Sequence, residues 1–145
     1  MSSTFVSRFH VRWMIRRDMS HVLGIEQQDK GGWTEEKFLE NLRDRNTIGM
    51  VVEKDEMTVV AYAVYTLRKK SLEIVNLKVD SGHRRQGIGR KMINKLKSKL
   101  STHYRNQLEI AVPDHMLSMH MFLKSQEFLA YVAPGDDVYK FFYID

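Results

Sequence analysis

"VNLKVDSGHRRQGIGRKMINKL", residues 75–96, decides how this chain folds. It opens inside "SLEIVNLKV" (71–79), a run apolar enough to be a central strand. From Gly87 the period changes. Ile88, Met92, Leu96 and Leu100 recur every four residues with Ile93 beside them, and basic residues fill the other face. That is an amphipathic helix of about three to four turns. Between strand and helix lies a corner holding Arg84, Arg85, Gln86 and two glycines, Gly87 and Gly89.

Working outward, the rest of the chain supplies the layers around this unit. "FHVRWMIRR" (9–17) alternates as a first strand. Asp18 is placed to cap a short helix running to about Gln27, and Thr34 to cap a second over "WTEEKFLENLRDR", where Phe38, Leu39 and Leu42 share a face. "IGMVVEKDEMTVVAYAVYTL" (48–67) reads as two strands turning near Lys54–Glu56. After the basic helix, "QLEIAV" (107–112) is a strand ended by Pro113, and "DHMLSMHMFLKSQ" a helix with Asp114 as cap. "EFLAYVA" and "DVYKFFYID" are closing strands about a turn at Pro134-Gly135. The order β-α-α-β-β-β-α-β-α-β-β gives an α/β (α+β) fold: a mixed central sheet of about seven strands with about four helices.

At 145 residues the simplest organisation is one domain over 1–145. There is no cysteine, so disulfides and thiolate metal sites are excluded and a cytoplasmic location is expected. No apolar run approaches the roughly 18 residues of a membrane span, and "MSSTFVSRFHVRW" carries no signal core, so no membrane partner is expected. The six histidines include no ligand-spaced pair with acid support; no metal is expected. The net charge of +5 is concentrated: from Ser81 to Leu108 there are eight Lys/Arg and no acid.

The corner is where that charge meets open backbone. The first N–H groups of a helix bind anions, glycines let an anion approach closely, and Arg84, Arg85 and Arg90 add charge around it. It is neither a G-x-x-x-x-G-K-[ST] loop nor G-x-G-x-x-G. A solvated basic helix or a nucleic-acid surface reads from the same residues. Against the latter, the segment has no aromatic interleaving and no clear helix-turn-helix.

These residues resemble the acyl-CoA signature R/Q-x-x-G-x-G/A of the GNAT superfamily of N-acyltransferases, met by Arg84, Gly87 and Gly89. "WTEEKF" (33–38) and "FLKSQEF" (122–128) are similar to landmarks of its ribosomal-protein alanine N-acetyltransferase branch. The resemblance implies a GNAT-like fold with splayed strands forming an acetyl-CoA cleft. It implies that Arg85, Gln86, Gly87, Ile88, Gly89 and Arg90 offer backbone amides to the pyrophosphate, and that the pantetheine arm pairs with Leu77, Lys78 and Val79. The partners it implies are acetyl-CoA and an amine acceptor: a protein N-terminus, a lysine or a small amine. Counted back from Phe128, the Glu that acts as the branch's base falls on Ala111; Met116 stands in the place of the branch's Asn, Leu123 in that of the superfamily's Tyr, and Glu127 in that of the Gly before the terminal Phe. The substitute catalysts nearby are Glu109, which shares a strand face with Ala111, His115 with Asp114 at the strand's end, and Tyr139 or Tyr143 as acid. A CoA-binding module impaired in catalysis is the alternative function.

Overall fold

The computed structural model describes residues 8–56, 58–132, 135 and 137–145. The turn expected at Pro134-Gly135 and the end of the strand before it lie partly outside these residues. The strands are β1 (Phe9–Trp13), β2 (Thr47–Lys54), β3 (Thr58–Leu67), β4 (Ser71–Val79), β5 (Gln107–Pro113), β6 (Leu129–Tyr131) and β7 (Val138–Ile144). The helices are α1 (Met19–Glu26), α2 (Glu35–Leu42), α3 (Ile88–Lys97) and α4 (Leu117–Ser125). The expected order and fold class are those found.

The seven strands form one open sheet in the order β1-β2-β3-β4-β5-β7-β6. Only β4 and β5 are parallel; every other neighbour pair is antiparallel. A parallel pair needs a crossover, and α3 is that crossover. Helices cover both faces. Ile88, Met92, Ile93 and Leu96 of α3 and Leu123 of α4 pack with Leu72, Ile74, Leu77, Leu108, Ile110 and Val112 from one face. Val22, Ile25 and Phe38 of α1 and α2 pack with Val51, Val59, Tyr62 and Val64 on the other. Burying each large α3 side chain is worth about 1.5–3 kcal/mol, so the four hold the helix against its own weak propensity as an isolated segment.

Local signals decided some helix ends and not others. Thr34 caps α2 as expected, its hydroxyl accepting from the Lys37 N–H at 3.2 Å. Asp18 stands at the N-cap of α1 but makes no cap bond. Its buried carboxylate instead takes both guanidinium nitrogens of Arg12, at 2.7 and 2.8 Å, and the Ile15 N–H. A charged, bidentate partner outcompetes a neutral amide for a buried carboxylate. Asp114 does not cap α4 either. That helix begins at Leu117 after an uncapped Met116.

Candidate active site

The register between β4 and β5 covers only Ser71–Ile74 and Gln107–Ile110. Beyond that row the two strands part. β4 continues to pair with β3 as far as Val79, and β5 with β7 as far as Pro113, so each keeps its outer neighbour. The parting begins at a bulge, where Val75 is the extra residue between the Val64–Asn76 and Tyr65–Ile74 pairs. Strand alternation then says which backbone groups line the cleft. The Asp80 N–H bonds to Val60 O at 2.8 Å, so Leu77 and Val79 turn their N–H and C=O groups the other way, into the opening. Asp114 N–H bonds to Asp137 O at 2.8 Å, so Ala111 faces the opening from the opposite side. The Pro113 carbonyl at the outer end is already taken by Met116 N–H and His120 Nε2.

The cleft opens onto the corner before α3. Gly87, the N-cap, has φ +77°, and Arg85 has φ +65°. This alternation turns successive amides inward, the geometry of an anion-binding nest. Among the described residues, the N–H groups of Gln86 to Arg90 donate to no backbone acceptor, and the helical ladder starts with Lys91 N–H to Gly87 O at 3.0 Å. Arg84, Arg85, Arg90 and Lys91 are exposed, and none forms an ion pair among the described residues. Arg84 Nε lies 3.4 Å from Val79 O. The two glycines differ. A Cβ on Gly87 would meet nothing within 4 Å, so its bareness serves the left-handed turn and leaves space before the amides. A Cβ on Gly89 would sit 3.0 Å from the Phe122 ring. The packing of α3 on α4 therefore gives Gly89 a reason to lack a side chain besides the close approach of an anion expected from the sequence.

Of the catalytic candidates, Glu109 lies at the apex of the cleft. Leu108, Ile110 and Val112 point to α3 and α4, so Glu109 and Ala111 point to the face of α1 and α2. Glu109 is half-buried in register with Glu73, whose carboxylate is held by Arg68 Nη2 at 2.7 Å. Glu109 has no ion-pair partner among the described residues. Ala111 is exposed, one residue past the last paired row. His115 projects beyond β5 with its side chain 79% exposed, 4.0 Å from Asp114. Tyr139 pairs with Val112 and lies on the α4 face, its ring 4.8 Å from that of His120; Tyr143 sits under Lys97 on that same face. The structure thus brings Glu109 to the cleft apex and leaves both tyrosines on the opposite side of the sheet. Leu123 is completely buried, and Glu127 adopts φ +72° at the end of α4.

Sequence reading missed the side chains on the α1 face of β4. Lys78 folds away from the cleft onto the end of α1, reaching Glu26 O at 3.0 Å and Asp29 at 2.6 Å, and its backbone groups face β3 opposite Tyr62, so the cleft edge expected of Lys78 is supplied by Leu77 and Val79. Buried Glu26 accepts from Asn76. Beside them, among the described residues, the Tyr62 hydroxyl is buried without a hydrogen-bond partner, and its pKa is pushed up by burial and then by the nearby Glu26 carboxylate. These contacts join residues 49 to 52 apart, so no local pattern marks them. Among the described residues no cluster of His, Asp and Glu is arranged to hold a metal ion, and no helix is long and apolar enough to cross a membrane.

The site is thus a cleft between splayed strands that opens onto the free amides of a helix N-terminus. The model of the acetyltransferase (GNAT) family matches residues 11–128, and the chain belongs to that family. No curated protein matches it by sequence. Among solved structures it is similar to the ribosomal-protein-S18-alanine N-acetyltransferase from Escherichia coli, at 17% identity and TM-score 0.77, covering 93% of this chain and 91% of that one. It is similar to the PaiA N-acetyltransferase from Thermoplasma acidophilum in complex with coenzyme A, at 9% identity and TM-score 0.80, covering 95% and 99%. Arabidopsis thaliana NAA60 in complex with acetyl-CoA matches at 14% identity and TM-score 0.75, covering 94% and 98%.

Proposed function

We propose that this chain transfers an acetyl group from acetyl-CoA to a primary amine, with Glu109 as the base. The observation that carries the reading is the meeting of two features at one place: the edges of Leu77, Val79 and Ala111 that no neighbouring strand covers, and the N–H groups of Gln86–Arg90, which have no backbone acceptor among the described residues. The residues fit the cosubstrate. The corner offers donors and positive charge to a pyrophosphate, while the β4 edge offers the alternating N–H and C=O groups that an amide-containing arm needs. When bound, acetyl-CoA supplies a thioester as the acyl donor. The new C–N bond replaces the C–S bond, thiolate departs, and the amine's proton must go to a base. Glu109 stands where the cleft closes, on the sheet face of α1 and α2, half-buried and with no ion-pair partner among the described residues, which is what supports it as that base. Asn76 and Glu73 flank the same region. The acceptor class is a primary amine; a protein N-terminus, a lysine and a small amine all present one.

The test is release of free thiol from acetyl-CoA in the presence of peptides with free N-termini, lysine-containing peptides with blocked N-termini, and polyamines. Turnover with one class assigns the acceptor. Tight acetyl-CoA binding without turnover on any class would replace this reading with that of a CoA-binding module. Absence of acetyl-CoA binding would overturn it altogether.

A further inference from the structure

The corner before α3 is held from one side by the chain that follows α1. Asp80, the first residue after β4, is the centre of the contact. One carboxylate oxygen, Oδ1, accepts from Gln28 Nε2, and Oδ2 lies 2.6 Å from His83 Nδ1. Gln28 uses its other amide atom too: its Oε1 accepts the Ser81 N–H at 2.9 Å. One exposed glutamine therefore bridges a side chain and the next backbone amide, 52 and 53 residues further along the chain. Two residues back in β4, Lys78 fixes Glu26 O and Asp29. The end of α1 and the residues after it are thus tied at three points, Lys78, Asp80 and Ser81, to the strand end from which the nest of Arg85 and Gly87 springs. His83, tied to Asp80, sets the turn that enters that nest. These ties lie on the face where Glu109 stands.

We propose that Asp80 is a positioning residue that joins the segment after α1 to the anion-binding corner, so that filling the corner also fixes Gln28–Lys30 beside the cleft. The inference rests on acetyl-CoA as the occupant of the corner. Nothing in it requires Asp80 to touch the cosubstrate. A coupling of this kind is reciprocal: whatever docks against Gln28–Lys30 strengthens binding at the corner by the same factor.

The experiment is amide hydrogen exchange with and without CoA, on the wild type, Gln28→Leu and Asp80→Asn, with CoA affinity measured by calorimetry. In the wild type, CoA slows exchange both at 84–90 and at 28–30. Gln28→Leu removes both bonds of an exposed side chain, and Asp80→Asn removes the acceptor facing His83; thermal melts check that each remains folded. In these variants protection persists at 84–90 but disappears at 28–30. CoA affinity falls about two- to tenfold, the worth of one hydrogen bond of ordinary strength. If CoA binds the wild type and leaves 28–30 unchanged, or protects it equally in Gln28→Leu, the coupling is refuted while the cosubstrate reading stands. If CoA does not bind the wild type, the cosubstrate reading fails, and this inference with it.

Discussion

Replacing Gly87 by Asn and by Asp separates the charge at the corner from its shape. Gly87 sits at φ +77°, with nothing within 4 Å of where a Cβ would go. Asn and Asp are the side chains most tolerant of that conformation and are nearly isosteric. Both variants should therefore fold, each losing about 1 kcal/mol relative to glycine. They differ by one negative charge placed before the amides of Ile88–Arg90. At about 5 Å from a bound phosphate, that charge costs roughly 1 kcal/mol if screened as in bulk water and roughly 3 kcal/mol at an effective dielectric of about 20. Gly87→Asp should thus bind CoA about five- to 150-fold more weakly than Gly87→Asn. The assay is calorimetric titration of CoA into both variants at about 50 mM salt and again at about 500 mM, where screening should narrow the gap. Equal affinities at low salt, with equal melting temperatures, would show that no phosphate comes near Gly87.

Three further outcomes follow from other parts of the molecule. Glu109→Gln should leave acetyl-CoA affinity intact and lower turnover by about 10²–10⁴-fold, the usual worth of a placed base; steady-state thiol release decides, and a His115→Ala loss of that size instead would move the base to the strand's end. Glu127 holds φ +72° where α4 ends and Phe128 N–H returns to Leu123 O at 3.1 Å; Glu127→Gly should stabilise by about 1 kcal/mol and raise Tm by about 2–4 °C in a scanning melt. Asp18 is held below its ordinary pKa of 3.8 first by the Arg12 hydrogen bonds, despite the opposing effect of burial, then by the Ile15 N–H. A depressed carboxylate contributes fully above its unfolded pKa and loses that contribution as pH falls through the folded value, so melts should fall below about pH 4, and Asp18→Asn should flatten that decline.

Strand and helix faces were legible because each is a local period. The four-residue recurrence of Ile88, Met92 and Leu96 fixes a buried face whatever lies opposite, and all three are buried. Thr34 was legible as a cap for a similar reason: its partner, Lys37 N–H, is three residues away. The failures share the opposite property. Asp18 and Asp114 have the composition of caps, but one carboxylate is claimed by Arg12 and the other precedes a helix that starts three residues on. The contact that a side chain on Gly89 would meet lies on α4, at Phe122, and no local pattern marks it.

The catalytic site shows the same division. Counting back from Phe128 selects Ala111, because counting assumes an unbroken spacing across the turn between β5 and α4. The strand ladder selects by row and face instead. On that criterion Glu109 is the carboxylate in the last rows before β4 and β5 separate, whereas Ala111 is already past them. What the sequence could not show is where the rows end. That depends on the bulge at Val75 and on β3 and β7 each keeping its own neighbour, and these are pairings between strands remote in the chain. Residue type and strand alternation were enough to nominate Glu109; its row, one before the last that β4 and β5 share, was visible only in the structure.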